Sequence, residues 1–562
     1  MTATTDADVL VVGAGPTGLM LANQLARRGV RVLIIDRHAG PARETRALGV
    51  QARTLEIYAG LGIAARALEL GKPGTGANLW ARGRKLARVS LGEAGSDVTA
   101  FPYILVLGQD DNERIMGERL HEFGLSVQWN TELLALDQKP DRVVATLRDS
   151  SGATRSVSVA WVGGCDGARS TVRELCGITF PGAPYEHVFF VADVEATGQM
   201  VPDEVNVYLW RDGFHLFFPM RGKDHWRIVG ILPTALRNRP DLNFEQALPH
   251  VQGELGKSLH VGSCTWFSTY RIHHRAASHF RKGRCFLLGD AAHIHSPMGA
   301  QGMNTGLQDA YNLAWKLGLV LDGTCGEALL DSYEGERIPV AQALLHSTDR
   351  AFRLIVSDNW LAGLFRTQVL ARVAKFVMNR RSVQRRAFLV VSQTGITYRN
   401  SALSESMAGL PENAPRAGDR FPWMKLRMKA GEAPQESIPS LDNTRFNLLV
   451  FGQSAPDSAR LGELVQVHEV PRDPDNEAAL TRAGIPLRSF YLLRPDGYIA
   501  LCGVDLDGGA VAQYLSARLH LTSDNPKRSC TPSASRGDAT PRRSSARTVS
   551  PAFPDRSTSV SS

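Results

Sequence analysis

"DVLVVGAGPTGLMLANQLARRGVRVLIIDR", residues 8–37, decides the fold. It reads as strand, turn, helix and strand. Val9 to Val12 form an unbroken apolar run, as in a parallel strand buried on both faces. Gly13, Gly15 and Gly18 follow as G-x-G-x-x-G, with Pro16 and Thr17 between the last two. The first glycine permits a sharp turn, the second lets the backbone approach a pyrophosphate, and the third lets helix and strand close up. Leu19, Ala22, Leu25 and Ala26 recur at helical spacing, and Gly29 ends the helix. Val32 to Ile35 return as a second strand that stops at Asp36. A carboxylate there accepts hydrogen bonds from ribose hydroxyls and disfavours a 2′-phosphate, so the unit suits FAD or NAD better than NADP.

Two later segments also place an acid after a short apolar run: Asp166 in "WVGGCDGARSTVRELCGI" (161–178) and Asp290 in "LLGDAAHIHSPMGAQGMNTG" (287–306). An NAD-dependent dehydrogenase would continue from Asp36 in alternating strands and helices. Here the chain runs into a loop carrying Arg46 and then a helix. Three separated nucleotide-facing segments call for a large cofactor, and FAD has that size. Asp290 can take a ribityl hydroxyl. "GMNTGLQDAYNLAWKLGLVL" (302–321) starts a helix whose positive end would stabilise negative charge at the N1–C2=O edge of a reduced flavin.

Asp290, His293 and His295 resemble a metal-binding pattern, but metal ligands must close around one point. Gly289, Gly299, Gly302, Gly306 and Pro297 instead suit backbone lying against a flat ring, so no metal is expected. The two histidines read as hydrogen-bonded structural groups, with a proton relay as the alternative.

On these motifs the chain resembles the class A flavoprotein aromatic hydroxylases (the para-hydroxybenzoate hydroxylase superfamily). The resemblance is greatest to the branch of phenol 2-monooxygenase, pentachlorophenol monooxygenase and 3-(3-hydroxyphenyl)propionate hydroxylase. GAGPTG (13–18), CDGARSTVR (165–173) and GDAAHIHSPMGAQGMN (289–304) occur in the family's order, and "YNLAWKL" (311–317), "LLDSYEGERIPVA" (329–341) and "LRPDGYIA" (493–500) also match. The resemblance implies an α/β chain: a discontinuous Rossmann-like FAD-binding domain, an inserted antiparallel β substrate domain and a C-terminal thioredoxin-like domain. Gly13, Gly15, Pro16, Thr17, Gly18, Asp36 and Arg37 would serve the ADP half of FAD, and Arg46 the pyrophosphate or flavin edge. Gln109 would lie near the flavin, Asp290 on the ribitol, and Gly302, Met303 and Asn304 at the pyrimidine edge. Asp166 would serve FAD and NAD(P)H together. Tyr270, Arg46 and Pro297 are the residues expected at the reaction, Tyr270 standing where phenol 2-monooxygenase has a substrate-holding tyrosine. A core tyrosine on a sheet strand is the competing reading of Tyr270. Where that enzyme carries an aspartate this chain has Leu48, which argues against simple phenol as substrate.

The implied chemistry uses NAD(P)H to reduce FAD and O2 to form a C4a-hydroperoxide, which hydroxylates a small phenolic or polyketide-type aromatic. The alternatives are a same-fold oxygenase carrying out epoxidation or Baeyer–Villiger-type oxidation, or a FAD-binding protein without oxygenase activity. A halogenase would carry W-x-W-x-I-P, which is missing.

The 562 residues are expected to divide into 1–182 (FAD-binding, first part), 183–275 (substrate sheet), 276–395 (FAD-binding, return and helical part), 396–440 (linker), 441–522 (thioredoxin-like) and 523–562 (tail). Within 183–275, Tyr208, His215 and Phe217 are candidates for either pocket lining or sheet packing. Half of the net charge of +8 sits in the Ser/Thr/Pro/Arg-rich tail, which reads as a disordered extension; a nucleic-acid partner is not expected. Seven scattered cysteines without C-x-x-C fit reduced thiols in the cytoplasm and a thioredoxin-like domain without redox activity. There is no membrane-length apolar run, and the first apolar stretch leads directly into the glycine turn, as a core strand does and a signal peptide does not. A monomer or homodimer is expected.

Overall fold

The computed structural model describes residues 5–522 apart from 43–46, 82, 211–212, 238, 240, 256–258, 296–300, 357–379, 438–440 and 457–460. The expected tail lies outside them. By its internal contacts the chain divides after Ser523, and every element below belongs to the first unit.

The G-x-G-x-x-G segment forms β1 (Ala7–Val12), α1 (Pro16–Ala26) and β2 (Val32–Ile35). Then come α2 (Gln109–Glu122), β3 (Thr154–Gly164), and the strands β4 (Gly182–Thr197), β5 (Gly213–Pro219), β6 (His225–Ile231) and β7 (His260–Ala276). The chain returns through β8 (Cys285–Leu287) to α3 (Gly302–Leu321) and α4 (Asp331–Val356).

Four strands, in the order β8-β3-β1-β2, lie parallel in a seven-stranded sheet. Their apolar runs are buried on both faces, with α1 and α3 packed into the same core. The register sets Ile35, Val12, Gly164 and Leu287 side by side in one row. That row places Gly13, Asp36, Cys165–Asp166 and the Gly289–Asp290 turn together at the carboxyl ends of neighbouring strands, where open α/β sheets bind ligands.

A second sheet of eight strands holds β7-β4-β6-β5 at its centre. It is not wholly antiparallel: strand Val205–Trp210 pairs parallel with Gly76–Ala81. These two segments are distant in sequence, so no hairpin dictates their direction. The sheet therefore also takes in residues 76–90, ahead of the span 183–275. Helix Phe244–Leu255 covers its far face, packing Phe244, Ala247 and Val251 on Phe190, Tyr208 and Phe217.

A third sheet of five strands runs Glu405–Ser406, Ile499–Gly503, Ser489–Leu493, Phe446–Phe451, Val465–Val470, flanked by helices Pro474–Arg482 and Gly508–Leu519. The Pro/Gly-rich stretch before it is packed and does not dangle: Leu410, Ala414, Ala417, Phe421 and Met424 are buried with Tyr491 and Ile499. Buried charges join this sheet to α3 and α4. Arg494 meets Glu336 of α4 at 2.5 Å and Asp496 at 2.5 Å; Lys316 of α3 meets Glu336 at 2.9 Å; the Trp315 indole donates to Asp496 at 3.1 Å. Each charge there has a partner, as burial requires. The described cysteines are all free thiols. No helix among the described residues is long and apolar enough to cross a membrane.

Candidate active site

Above the carboxyl ends of β1, β3 and β8 lies a cavity of about 1160 Å³. A second cavity, of about 420 Å³, opens between this edge and the eight-stranded sheet. The two share Gly15, Gln109, Cys165, Gly167 and Asp290 as lining, so a single elongated molecule can run from one into the other.

The glycine turn is built by close approach. Gly13 has φ +100°, and a Cβ there would lie 2.4 Å from the Cys165 carbonyl oxygen. A Cβ on Gly18 would lie 1.9 Å from the Gly13 carbonyl oxygen, so this glycine holds the turn shut as well as packing the helix. Gly15 differs: a Cβ there would meet nothing within 4 Å, and its open side faces both cavities. Pro16 and Thr17 line the smaller cavity. Gly15 is the N-cap of α1 and Gln301 that of α3, and neither first turn is capped by a side chain among the described residues. Each presents main-chain donors and partial positive charge.

Asp36 accepts from Ala14 N at 2.7 Å and His38 N at 2.8 Å, tying the turn to the end of β2; it lines the larger cavity with the exposed Arg37. Asp166 accepts from Ser170 Oγ at 2.5 Å and Val172 N at 3.1 Å, and burial pushes its carboxyl up. Asp290 and Gln109 stand at the junction of the cavities. Gln109 donates to Glu113 at 2.9 Å; Glu113, not foreseen from sequence, is a buried acid lining the larger cavity and accepts from Ala42 N at 2.9 Å. Burial raises the Glu113 carboxyl despite those two donors. The signal for it was its place one helical turn after Gln109.

Gly302 and Met303 line the smaller cavity. The Asn304 side chain is turned away: it accepts from Gln51 N at 2.9 Å and Thr54 Oγ1 at 2.7 Å and donates to Gly49 O at 2.7 Å. It pins α3 to the start of the helix Ala52–Leu61. Arg46 and Pro297 lie outside the described residues.

The histidines do not close on one point with Asp290. His293 Nε2 meets Asp309 at 2.7 Å, and Asp309 also accepts from Gly289 N at 3.0 Å and Arg337 Nε at 2.6 Å. Burial acts to raise the Asp309 carboxyl, but Arg337 and His293 override it and hold it below the usual range. His295 stacks on His293 at 6.0 Å and lines the smaller cavity. Among the described residues no group of His, Cys, Asp and Glu is arranged to hold a metal.

The smaller cavity is roofed by Leu216 and Phe218 of β5, Arg227 and Val229 of β6, and Tyr270 of β7. Leu48 forms part of the opposite wall. Arg227 is buried, pairs with Asp193 at 2.5 Å and lies over the Trp266 ring at 5.0 Å. Burial pushes the Tyr270 phenol up to about 12, with Arg227 pulling the other way, so Tyr270 stays a neutral donor. Tyr208, His215 and Phe217 fall on the far face of the sheet because strand residues alternate between faces. His215 is stacked on Trp210 and packed against the tilted ring of Phe190, away from both cavities.

These residues fit FAD: an open glycine where main chain can meet a pyrophosphate, two helix starts facing the cavities, and a continuous path between the two cavities through their shared lining.

A family model described as FAD binding domain matches residues 6–348. Similar proteins include 6-methylpretetramide 4-monooxygenase of Streptomyces rimosus, 35% identical over 92% of this chain and 94% of that protein. Pentachlorophenol 4-monooxygenase of Sphingobium chlorophenolicum is 33% identical over 88% of this chain and 86% of its own length. Among solved structures, the flavin-dependent monooxygenase PieE in complex with FAD and substrate superposes with a TM-score of 0.76 at 25% identity, over 92% of this chain and 100% of that one. The anhydrotetracycline hydroxylase OxyS of Streptomyces rimosus gives 0.72 at 29% identity, over 91% and 99%.

Proposed function

Since the chain belongs to the FAD-binding-domain family and is a flavin-dependent aromatic monooxygenase, we propose that it hydroxylates a multi-ring phenolic substrate held under β5, β6 and β7. The observation that carries this reading is the 420 Å³ cavity whose roof sets Leu216, Phe218, Val229 and Tyr270 around one buried guanidinium, Arg227. An apolar cavity of roughly 150 Å³ already accepts benzene, so this one has room for aromatic rings beside the flavin edge that enters it at Gly302 and Met303. Relatives named for 12-dehydrotetracycline and anhydrotetracycline support a multi-ring substrate.

In this reading Gly13, Gly15, Pro16, Thr17 and Gly18 hold the pyrophosphate, with Asp36 and Arg37 at the adenosine end. Gln109 and Asp290 line the passage between the chambers, and Asp166 lines the larger one. Gly302, Met303 and the Asn304 main chain face the pyrimidine edge. FAD, when bound, supplies a reducible ring that accepts hydride from NAD(P)H and activates O2 for transfer of one oxygen atom to an aromatic carbon. The protein's own residues do the rest. Arg227 stabilises the substrate as its phenolate, which enriches the ring in electrons. Tyr270 donates a hydrogen bond to the substrate oxygen and orients the ring. Leu48, Leu216, Phe218 and Val229 exclude water, which would divert the activated oxygen to peroxide. Leu48 brings no carboxylate, so activation of the phenol falls to Arg227.

The span around 183–275 then serves as the inserted substrate domain, and residues 441–522 as a thioredoxin-like domain. The latter is structural: its one cysteine, Cys502, is buried and without a C-x-x-C partner.

The test is oxidation of NADH and NADPH by the purified yellow protein, with and without fused-ring phenols. Stimulated consumption coupled to a product one oxygen atom heavier supports the reading. Consumption that no aromatic accelerates refutes it.

A further inference from the structure

Past residue 348, where the family match ends, the chain forms helix Arg381–Val391 and returns to the flavin-facing end of α3. Gln393 follows its C-cap, Ser392, and is one of the few described residues other than glycine with positive φ, at +59°. This position after a helix is usually glycine or asparagine, and any other side chain is strained there. A glutamine kept in that conformation has to be used for its side chain.

The use is visible. Gln393 is 3% exposed, and its amide nitrogen donates to Thr305 Oγ1 at 2.8 Å and to the Gln301 carbonyl at 3.4 Å. Its amide oxygen accepts from Gln308 Nε2 at 2.6 Å. One amide thus ties together the N-cap and the first two turns of α3. Gln301 answers by donating to the Val390 carbonyl at 3.2 Å, and it lines the smaller cavity beside Gly302 and Met303.

We propose that Gln393 is a positioning residue of the flavin site, its side-chain amide fixing the amino end of α3 against the cofactor from a segment beyond the family domain. It touches neither cavity itself. It acts by holding Gln301 and Thr305, and through them the main-chain donors of Gly302 and Met303, in one geometry. Preorganised donors lose little entropy when the cofactor arrives. The inference rests on the reading that α3 meets the flavin.

The experiment compares wild type, Gln393→Gly and Gln393→Glu after removal of FAD, by titration with FAD and by the absorption spectrum of the bound flavin. Gln393→Gly relieves the backbone and deletes the amide. It should leave the apoprotein folded with a modestly lower thermal midpoint, because Thr305, Gln308 and the Gln301 carbonyl lose a buried partner, raise the FAD dissociation constant on the order of tenfold, and shift the flavin spectrum. Gln393→Glu keeps the acceptor for Gln308 and loses the donor to Thr305 and Gln301, and it should weaken FAD in the same direction. Wild-type affinity and spectrum in Gln393→Gly would make the amide a mere helix cap and overturn the proposal. Should Gln393→Gly fail to fold, Gln393→Glu decides it by the same criterion. If wild type itself takes up no FAD, the functional reading falls first and this inference with it.

Discussion

At the larger cavity the decisive groups belong to the main chain: the turn Gly13–Gly15, the start of α1, and the loops after β3 and β8. At the smaller cavity they are side chains standing on strands: Arg227, Tyr270, Leu216, Phe218. The two chambers share a wall and, in the proposed reading, serve one cofactor, yet they respond to substitution by different physics. A main-chain site is broken by adding an atom, and a side-chain site by removing one.

The sharpest test sets Gly13 against Gly15. Gly13→Ala drives a Cβ into the Cys165 carbonyl and forces alanine to φ +100°. It should cost on the order of 3 kcal/mol of apoprotein stability and yield protein without flavin after gel filtration. Gly15→Ala meets no protein atom within 4 Å. Its apoprotein should melt within about 0.5 kcal/mol of wild type, while its FAD dissociation constant rises roughly 10- to 100-fold because the methyl occupies the cofactor's approach. Equal stability losses in the two variants would erase the distinction drawn here.

Next in size is Arg227→Met, which keeps the length and removes the charge. With Asp193 22% exposed, the orphaned carboxylate can hydrate. FAD content should be unchanged, and kcat/KM for a phenolic substrate should fall about 100-fold. The sign of its pH effect follows from Coulomb attraction: without the guanidinium the bound phenol ionises at higher pH, so the rising limb of the pH–rate profile moves upward. Tyr270→Phe removes one neutral hydrogen bond and should cost about tenfold in kcat/KM, again with flavin content intact. Loss of flavin in either variant would mean that the roof also supports the cofactor.

The same contrast governs how much could be read in advance. The parallel strands, the glycine turn, Asp36, Asp166 and Asp290 were legible because backbone chemistry demands glycine and strand ends at fixed spacing. Arg227 was not, since a single arginine in "DHWRIVGIL" resembles an ordinary surface residue. The alternation of Trp226 and Ile228 against Arg227 and Val229 was the available signal, but which face is the cavity depends on partners far away in sequence. The parallel pairing of 205–210 with 76–81 and the burial of Phe421 and Met424 were hidden for the same reason. Composition reads Pro and Gly as loop, whereas packing is decided by long-range contacts. Asn304 shows the limit of motif transfer, for its side chain braces α3 and faces away from the smaller cavity.

The smallest expected effect separates the two faces of the roof. His215 is wholly buried against Trp210 and Phe190, and burial, with His250 adding to it, depresses its imidazole to about 3. The folded protein therefore keeps the ring neutral, while the unfolded chain protonates it near the ordinary value of about 6.5. Between those values the unfolded state binds the extra proton, so stability is full above about pH 6.5 and declines as pH falls, by at most about 1.4 kcal/mol per pH unit. His215→Leu removes the titrating group and leaves the stack of Trp210 over an apolar side chain. Its thermal midpoint should gain on wild type steadily from pH 6.5 to 4, although carboxylates lower both proteins in common. Flavin content and kcat/KM at pH 8 should match wild type, because His215 lies on the face turned away from Arg227 and Tyr270. A change in kcat/KM at pH 8 would show that the two faces of the sheet are coupled, and that the substrate chamber depends on packing it does not touch.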